Sequence, residues 1–290
     1  MRIWPTKRRW KRLAIGIATI VALALIANGF MAWLIEYKLQ TKIAAIRAAG
    51  DPASIADLAP EPILADQNAA AHLERIAPRL DDFSKDYLAF YNSPLGKAYD
   101  SAHDRGVPPT PEQIAAIRAI LDKYSDIAAA LAAAAACDQY ASLANFSLSP
   151  HVFLEEVLDK RATKIRIAAR YNDWRMRMLM ADGKPQQAAE RGVELLRIAR
   201  LHDDEPLLLN YLLGVAIRGI AVESVYDALA AGAISPQLHI ELDEELAEHD
   251  ETQRLVQALR TERAYSAALT ASICDGEVCN QVNPLWMSMV

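Results

Sequence analysis

From Leu13 to Ile35 the chain carries no charge, and only Thr19 and Asn28 are strongly polar. As a helix these 23 residues span roughly 34 Å, enough to cross a hydrocarbon core of about 30 Å. Trp10, Trp33 and Tyr37 stand near the two ends of the run, where amphipathic rings favour the headgroup region. Helical character continues to about Ala49. Gly50-Asp51-Pro52 stops it, and Pro52, Pro60 and Pro62 make residues 50–66 a linker. Apolar periodicity then predicts helices over 67–77, 83–104, 111–136, 150–182, 185–202, 206–231, 236–249 and 251–272. Thr110-Pro111-Glu112-Gln113 and Ser235-Pro236 read as helix starts, and the short connections imply an antiparallel array.

One hairpin is especially clear. Ile167, Tyr171, Trp174, Met178 and Ala181 form an apolar stripe, Asp182-Gly183-Lys184-Pro185 turns the chain, and Ala188, Gly192, Leu195 and Ala199 line the return helix. With Gly183 and Ala188 in the slots for close helix contact, this hairpin resembles a tetratricopeptide unit, and the resemblance covers about 150–250. It implies a partner-binding hairpin, with Tyr171, Trp174, Met178 and Gly192 as its candidate residues.

Composition agrees with an all-α fold. Only 11 glycines and 7% aromatics accompany long alanine runs such as 128–136, and alanine loses least on forming helix. The expected organisation is a basic tail (1–12), a transmembrane helix (13–35), a helix extension and linker (36–66) and an extracytoplasmic helical domain (67–290). Arg2, Lys7, Arg8, Arg9, Lys11 and Arg12 place +6 in the tail, so the total of −6 leaves −12 for the rest. Cations beside an apolar run orient the N-terminus to the cytoplasm, and the acidic body argues against nucleic acid as a partner. Ala22-Leu23-Ala24 could be read as a signal-peptide cleavage site, but the apolar run continues for eleven residues beyond it, which favours an uncleaved anchor in the cytoplasmic membrane.

Candidate chemistry is sparse. Leu207–Val222 is apolar but interrupted by Arg218, which suits a buried central helix, with Gly214 and Gly219 marking close helix approaches. His202-Asp203-Asp204-Glu205-Pro206 gathers ligand-type side chains, yet Asp204 also suits an N-cap and Glu205 the positive end of a helix dipole. His239 with Asp243 and Glu245 with His249 stand at i,i+4, which could present metal ligands or a solvated acidic face. Glu262-Arg263 lies on a helix expected to pack through Leu255, Leu259, Tyr265 and Leu269. Cys274 and Cys279 enclose an Asp-Gly turn that suits a short disulfide outside the cytoplasm, and Cys137 reads as a small buried hydrophobe. GxSxG, GxGxxG, GxxxxGK, CxxC and HExxH are all absent.

The order of features also resembles a group of uncharacterised, membrane-anchored, all-helical bacterial proteins. The stretches that carry the resemblance are the anchor, the Ala-rich helix ending at Cys137, Leu201–Leu209 (LHDDEPLLL) and Arg260–Ala264 (RTERA). It brings no activity with it. The expectation is an envelope interaction or scaffold domain that binds a protein or peptide, with no cofactor or metal. The alternative is an envelope enzyme built from dispersed His151, Glu155, His202, Glu262 and Arg263.

Overall fold

Local punctuation divides the chain largely where the sequence pattern places the breaks. The structure is a computed structural model and describes residues 7–103, 105–232, 234–249 and 251–274; among these there is no strand, only an isolated bridge between Asn68 and Gln139. The helices are α1 (Lys7–Ala48), α2 (Ala69–Arg75), α3 (Ala77–Asn92), α4 (Pro94–His103), α5 (Pro111–Lys123), α6 (Ser125–Ala135), α7 (Pro150–Glu155), α8 (Thr163–Ala181), α9 (Pro185–His202), α10 (Leu208–Ala231), α11 (Pro236–Ala247) and α12 (Glu251–Cys274). A π-helical turn, Glu156–Ala162, joins α7 to α8.

Two units emerge. One contains the chain up to Ser54 and the end of α12 from Ser266, and the other is Ile55–Tyr265. In the first, α1 is long and apolar enough to cross a membrane, and its large apolar side chains from Ile15 to Ile35 are mostly exposed. Gly50 ends it in the left-handed conformation (φ 78°), with Asp51 N–H donating to Ile46 C=O and Gly50 N–H to Arg47 C=O. This pair of bonds is a Schellman cap.

Within the second unit, the stretch expected to be helical over 83–104 starts at Ala77, with Pro78 in its first turn, and breaks before Pro94. Proline has no N–H to continue the ladder, and the Ser93 N–H and hydroxyl both donate to Phe90 C=O instead (2.9 and 2.6 Å). The stretch over 111–136 divides at Tyr124, whose ring is buried and whose hydroxyl donates to Asp86 (2.8 Å). The capping box at Thr110 forms as expected, with Thr110 and Gln113 each accepting from the other's backbone N–H.

The core is aromatic on the α3–α8 side. Trp174 is fully buried, with ring centroids of Phe83, Tyr87, Phe90 and Tyr91 at 5.8, 4.6, 5.3 and 5.8 Å. Tyr171, Met178 and Gly192 are buried as well. The expectation that these four present a binding surface is therefore corrected: the stripe faces the interior. The hairpin turn is as read, with Gly183 left-handed (φ 68°), but the notch at Gly192 serves α10 rather than α8. A Cβ added at Gly192 would stand 2.3 Å from Val225 Cγ2. Gly192→Ala is expected to destabilise the protein by about 1–3 kcal/mol through overpacking. In urea unfolding, Gly192→Ala with Val225→Ala should cost clearly less than the two single losses together, and strict additivity would remove the notch from the account.

α10 is central but one-sided. Asn210, Tyr211, Gly214, Ile217, Arg218, Ala221, Val225 and Ala228 are buried, whereas Leu209, Leu212, Val222 and Tyr226 are exposed. Gly214 marks a close approach as expected, but Gly219 has open space around it. On α12, Ala258, Thr261, Ala264 and Tyr265 face inward, while Leu255 and Leu259 are exposed. Only Tyr265 of the expected face is turned inward, and Thr261 and Glu262 of α12 reach the start of α10 through side-chain hydrogen bonds.

Candidate functional site

The turn His202–Leu207 between α9 and α10 gathers the densest buried polar network among the described residues. Asp204 was expected to cap α10; instead the helix begins at Leu208, after Leu207 in a left-handed conformation (φ 82°) and with no side-chain cap from the turn. The first free N–H groups are satisfied by α12. Thr261 Oγ1 accepts from Leu207 N–H (3.0 Å) and Glu262 Oε2 from Leu208 N–H (3.2 Å), placing a carboxylate at the positive end of the helix dipole. The stretch around Arg260–Ala264 thus holds the stretch around Leu201–Leu209, and the acids of the turn are released for other partners.

Glu205 points into the interior, with no exposed side-chain surface. Its carboxylate accepts from Tyr140 Oη (2.5 Å) and Ser142 Oγ (2.7 Å), and Arg161 Nε stands 3.7 Å away. Tyr140 and Ser142 belong to the loop after α6, which Asn68 clamps: its amide donates to Ala141 C=O (2.9 Å) and its carbonyl accepts from Ala141 N–H and Ala70 N–H (3.0 Å each). Arg161 comes from the π-helical turn, and its side chain is only 9% exposed. Burial pushes the Glu205 carboxyl up, and Arg161 opposes the shift. Burial also pushes up the Tyr140 phenol, and the neighbouring Glu205 charge adds to it.

Asp203 points the other way. Its Oδ2 accepts from Arg218 Nη1 (2.6 Å) and Arg254 Nη1 (3.4 Å), and its Oδ1 lies where a Cβ on Gly214 would approach to 2.4 Å. Arg254 Nη1 also donates to Arg200 C=O (2.6 Å), and Arg200 in turn pairs with Glu245 (2.7 Å). Burial raises the Asp203 carboxyl, against Arg218. A cleft of about 550 Å³ opens beside this network, lined by Asp203, Asp204, Glu248, Arg254, Gln257 and Arg260 among others.

His202 is 1% exposed, and burial, reinforced by Arg161, pushes its pKa from 6.5 to about 4. Between those values the unfolded chain binds a proton that the folded chain refuses, so stability falls as pH drops through the window. From pH 7 to pH 5 the loss from this one group is on the order of 2 kcal/mol. Raised carboxyls such as Asp203 and Glu205 act with the opposite sign, and comparison with a His202→Gln variant cancels them. The variant's drop in unfolding free energy between pH 7 and pH 5 should be smaller by about that amount. Equal drops in the two proteins would contradict it.

The other sequence candidates lie apart. His151 and Glu155 on α7 are exposed, Arg263 is exposed, and Glu262 serves as the cap just described. These do not converge with His202, as a site built from them requires. His249 stands 3.5 Å from Glu245, and no group of three His, Cys, Asp or Glu among the described residues could hold a metal ion. Cys137 is buried. The expected Cys274–Cys279 disulfide lies outside the described residues. Sequence reasoning missed Tyr140, Ser142, Arg161 and Arg254, which meet the turn from about 40 to 65 residues away in the chain. Arg218 inside an apolar run was the one legible signal that an acid must be buried beside it.

None of the protein families, curated proteins and solved structures with which the chain was compared matches it. Its class is accordingly defined by its own architecture: an all-helical domain in a chain whose N-terminal helix is long and apolar enough to cross a membrane.

Proposed function

We propose that this protein is a membrane-anchored interaction or scaffold domain of the bacterial envelope, similar in plan to the helical bacterial proteins it resembles. In this reading α1 is a single-pass anchor, the six cations of the tail keep the N-terminus cytoplasmic, and the body lies on the other side of the membrane. The observation that carries the reading is the uncovered face of α10. Tyr226 at its end is 70% exposed, and Leu212 52%. Exposed large apolar side chains along one helix face, here with Glu223 among them, support a site of association. The buried acids support it differently: Asp203 and Glu205 are engaged by arginines and hydroxyls within the domain, and so act to fix the start of α10.

The test is affinity capture of the full-length chain from solubilised membranes, comparing the natural sequence with Leu212→Glu. The natural protein should retain a defined partner that the variant loses, with unchanged circular dichroism. Equal retention by both would overturn α10 as the docking face.

A further inference from the structure

Where the turn His202–Leu207 meets α2 and the π-helical turn, two buried polar atoms find no partner within the protein. Arg161 Nε and His202 Nε2 are both inaccessible, and among the described residues neither makes a hydrogen bond. Each belongs to a side chain that is itself buried, His202 at 1% exposure and the Arg161 side chain at 9%. Leaving a buried donor or acceptor unbonded costs about 1–3 kcal/mol. Both residues line one small cavity of about 20 Å³, together with Tyr140, Lys164 and, from the exposed side, Glu74 and Lys160. A water molecule needs roughly 10–15 Å³ and at least two polar partners.

The neighbours of the cavity decide which atom can donate. Tyr140 gives its only proton to Glu205 Oε2 (2.5 Å), and its oxygen stands 3.5 Å from His202 Nδ1. What the phenol can offer the imidazole is a lone pair, so the proton of neutral His202 sits on Nδ1 and Nε2 is left as a bare acceptor. Arg161 Nε–H, by contrast, can only donate. We propose that this cavity is a binding site for one water molecule, which accepts from Arg161 Nε–H, donates to His202 Nε2 and so ties the π-helical turn to the end of α9. No other small species meets both atoms. An anion is repelled by the bare imidazole nitrogen, and a cation by the guanidinium, whose nearest acids, Glu205 and Glu156, already face it (3.7 and 3.8 Å). The site is independent of what α10 docks.

NMR of the full-length chain in lipid nanodiscs at pH 7, labelled with nitrogen-15 in its histidines, tests this on the natural sequence. His202 should be in the Nδ1–H form by about tenfold or more over Nε2–H, the ratio that one buried hydrogen bond sustains. Its ring Hε1 should show a nuclear Overhauser contact to water of the sign given by a long-lived molecule, and the exposed His151 should not. The His202 signal is the one lost in His202→Gln, or, should that variant not fold, the one that Tyr140→Phe shifts toward the Nε2–H form by removing the phenol lone pair. Crystals of the natural sequence grown in bromide should show one oxygen about 2.7–3.2 Å from both Arg161 Nε and His202 Nε2, with no anomalous signal there. A dominant Nε2–H form would overturn the proposal, because His202 would then donate toward Asn210, whose Oδ1 is buried and also lacks a partner. Absence of a long-lived water contact would overturn it as well, and an anomalous peak in the cavity would assign the site to an anion instead.

Discussion

Replacing Arg161 by methionine is expected to lower the unfolding free energy by about 3–5 kcal/mol, the loss typical of leaving a buried charge without its partner. Arg161 Nε lies 3.7 Å from Glu205 Oε1, and the Glu205 side chain has no contact with solvent. Tyr140 and Ser142 donate to the carboxylate, but neither carries a compensating charge. Methionine matches much of the volume of the arginine stem, so the effect reports charge rather than a cavity. The double variant Arg161→Met with Glu205→Gln should be markedly milder, since the glutamine oxygen still accepts a hydrogen bond and no charge remains buried. Chemical denaturation followed by circular dichroism measures both. A loss below about 1 kcal/mol for Arg161→Met would mean that Glu205 already holds a proton near neutral pH, the direction in which burial drives it.

Trp174→Ala should cost about as much, 3–5 kcal/mol, by a different route. Four aromatic rings pack around the indole, and each makes further ring contacts: Phe83 with Tyr124 and Tyr171, Tyr87 with Phe83 and Tyr91, and Phe90 and Tyr91 with Tyr99 of α4. Its Nε1–H donates to Tyr91 Oη (3.4 Å). Removing it opens a cavity at the junction of α3 and α8 that rigid helices cannot close. Trp174→Phe keeps a ring in the site and should lose clearly less. A small effect of the alanine variant would indicate that α3 can move in to fill the space.

The binding expectation for the 167–200 hairpin, and the expectation that 207–222 is buried all round rather than on one side, missed for one reason. Periodicity shows which side chains share a face, but it does not show what that face meets. Tyr171, Trp174 and Met178 share a face as read, and that face meets α3, not a partner. Along Leu207–Val222 there is hardly any periodicity to read, because nearly every position is apolar. Either side of α10 could have been buried. The notch at Gly192 and the Asp203–Arg218 pair select the side bearing Gly214, Arg218 and Val225, which leaves Leu212 and Tyr226 outside.

The apolar N-terminal helix, the all-α class, the Gly50 and Gly183 stops and the Thr110 and Ser235 caps were all legible in the chain's own pattern. Each of these rests on bonds between residues within a few positions of one another, so the pattern contains its own cause. That Glu205 is held by Tyr140, Ser142 and Arg161, that Glu262 caps a helix distant in the chain, and which face of α10 stays uncovered all depend on the folded packing. Those outcomes come from segments about 40 to 65 residues apart meeting in a low-dielectric interior, where a charge must find a partner and the chain order does not say which.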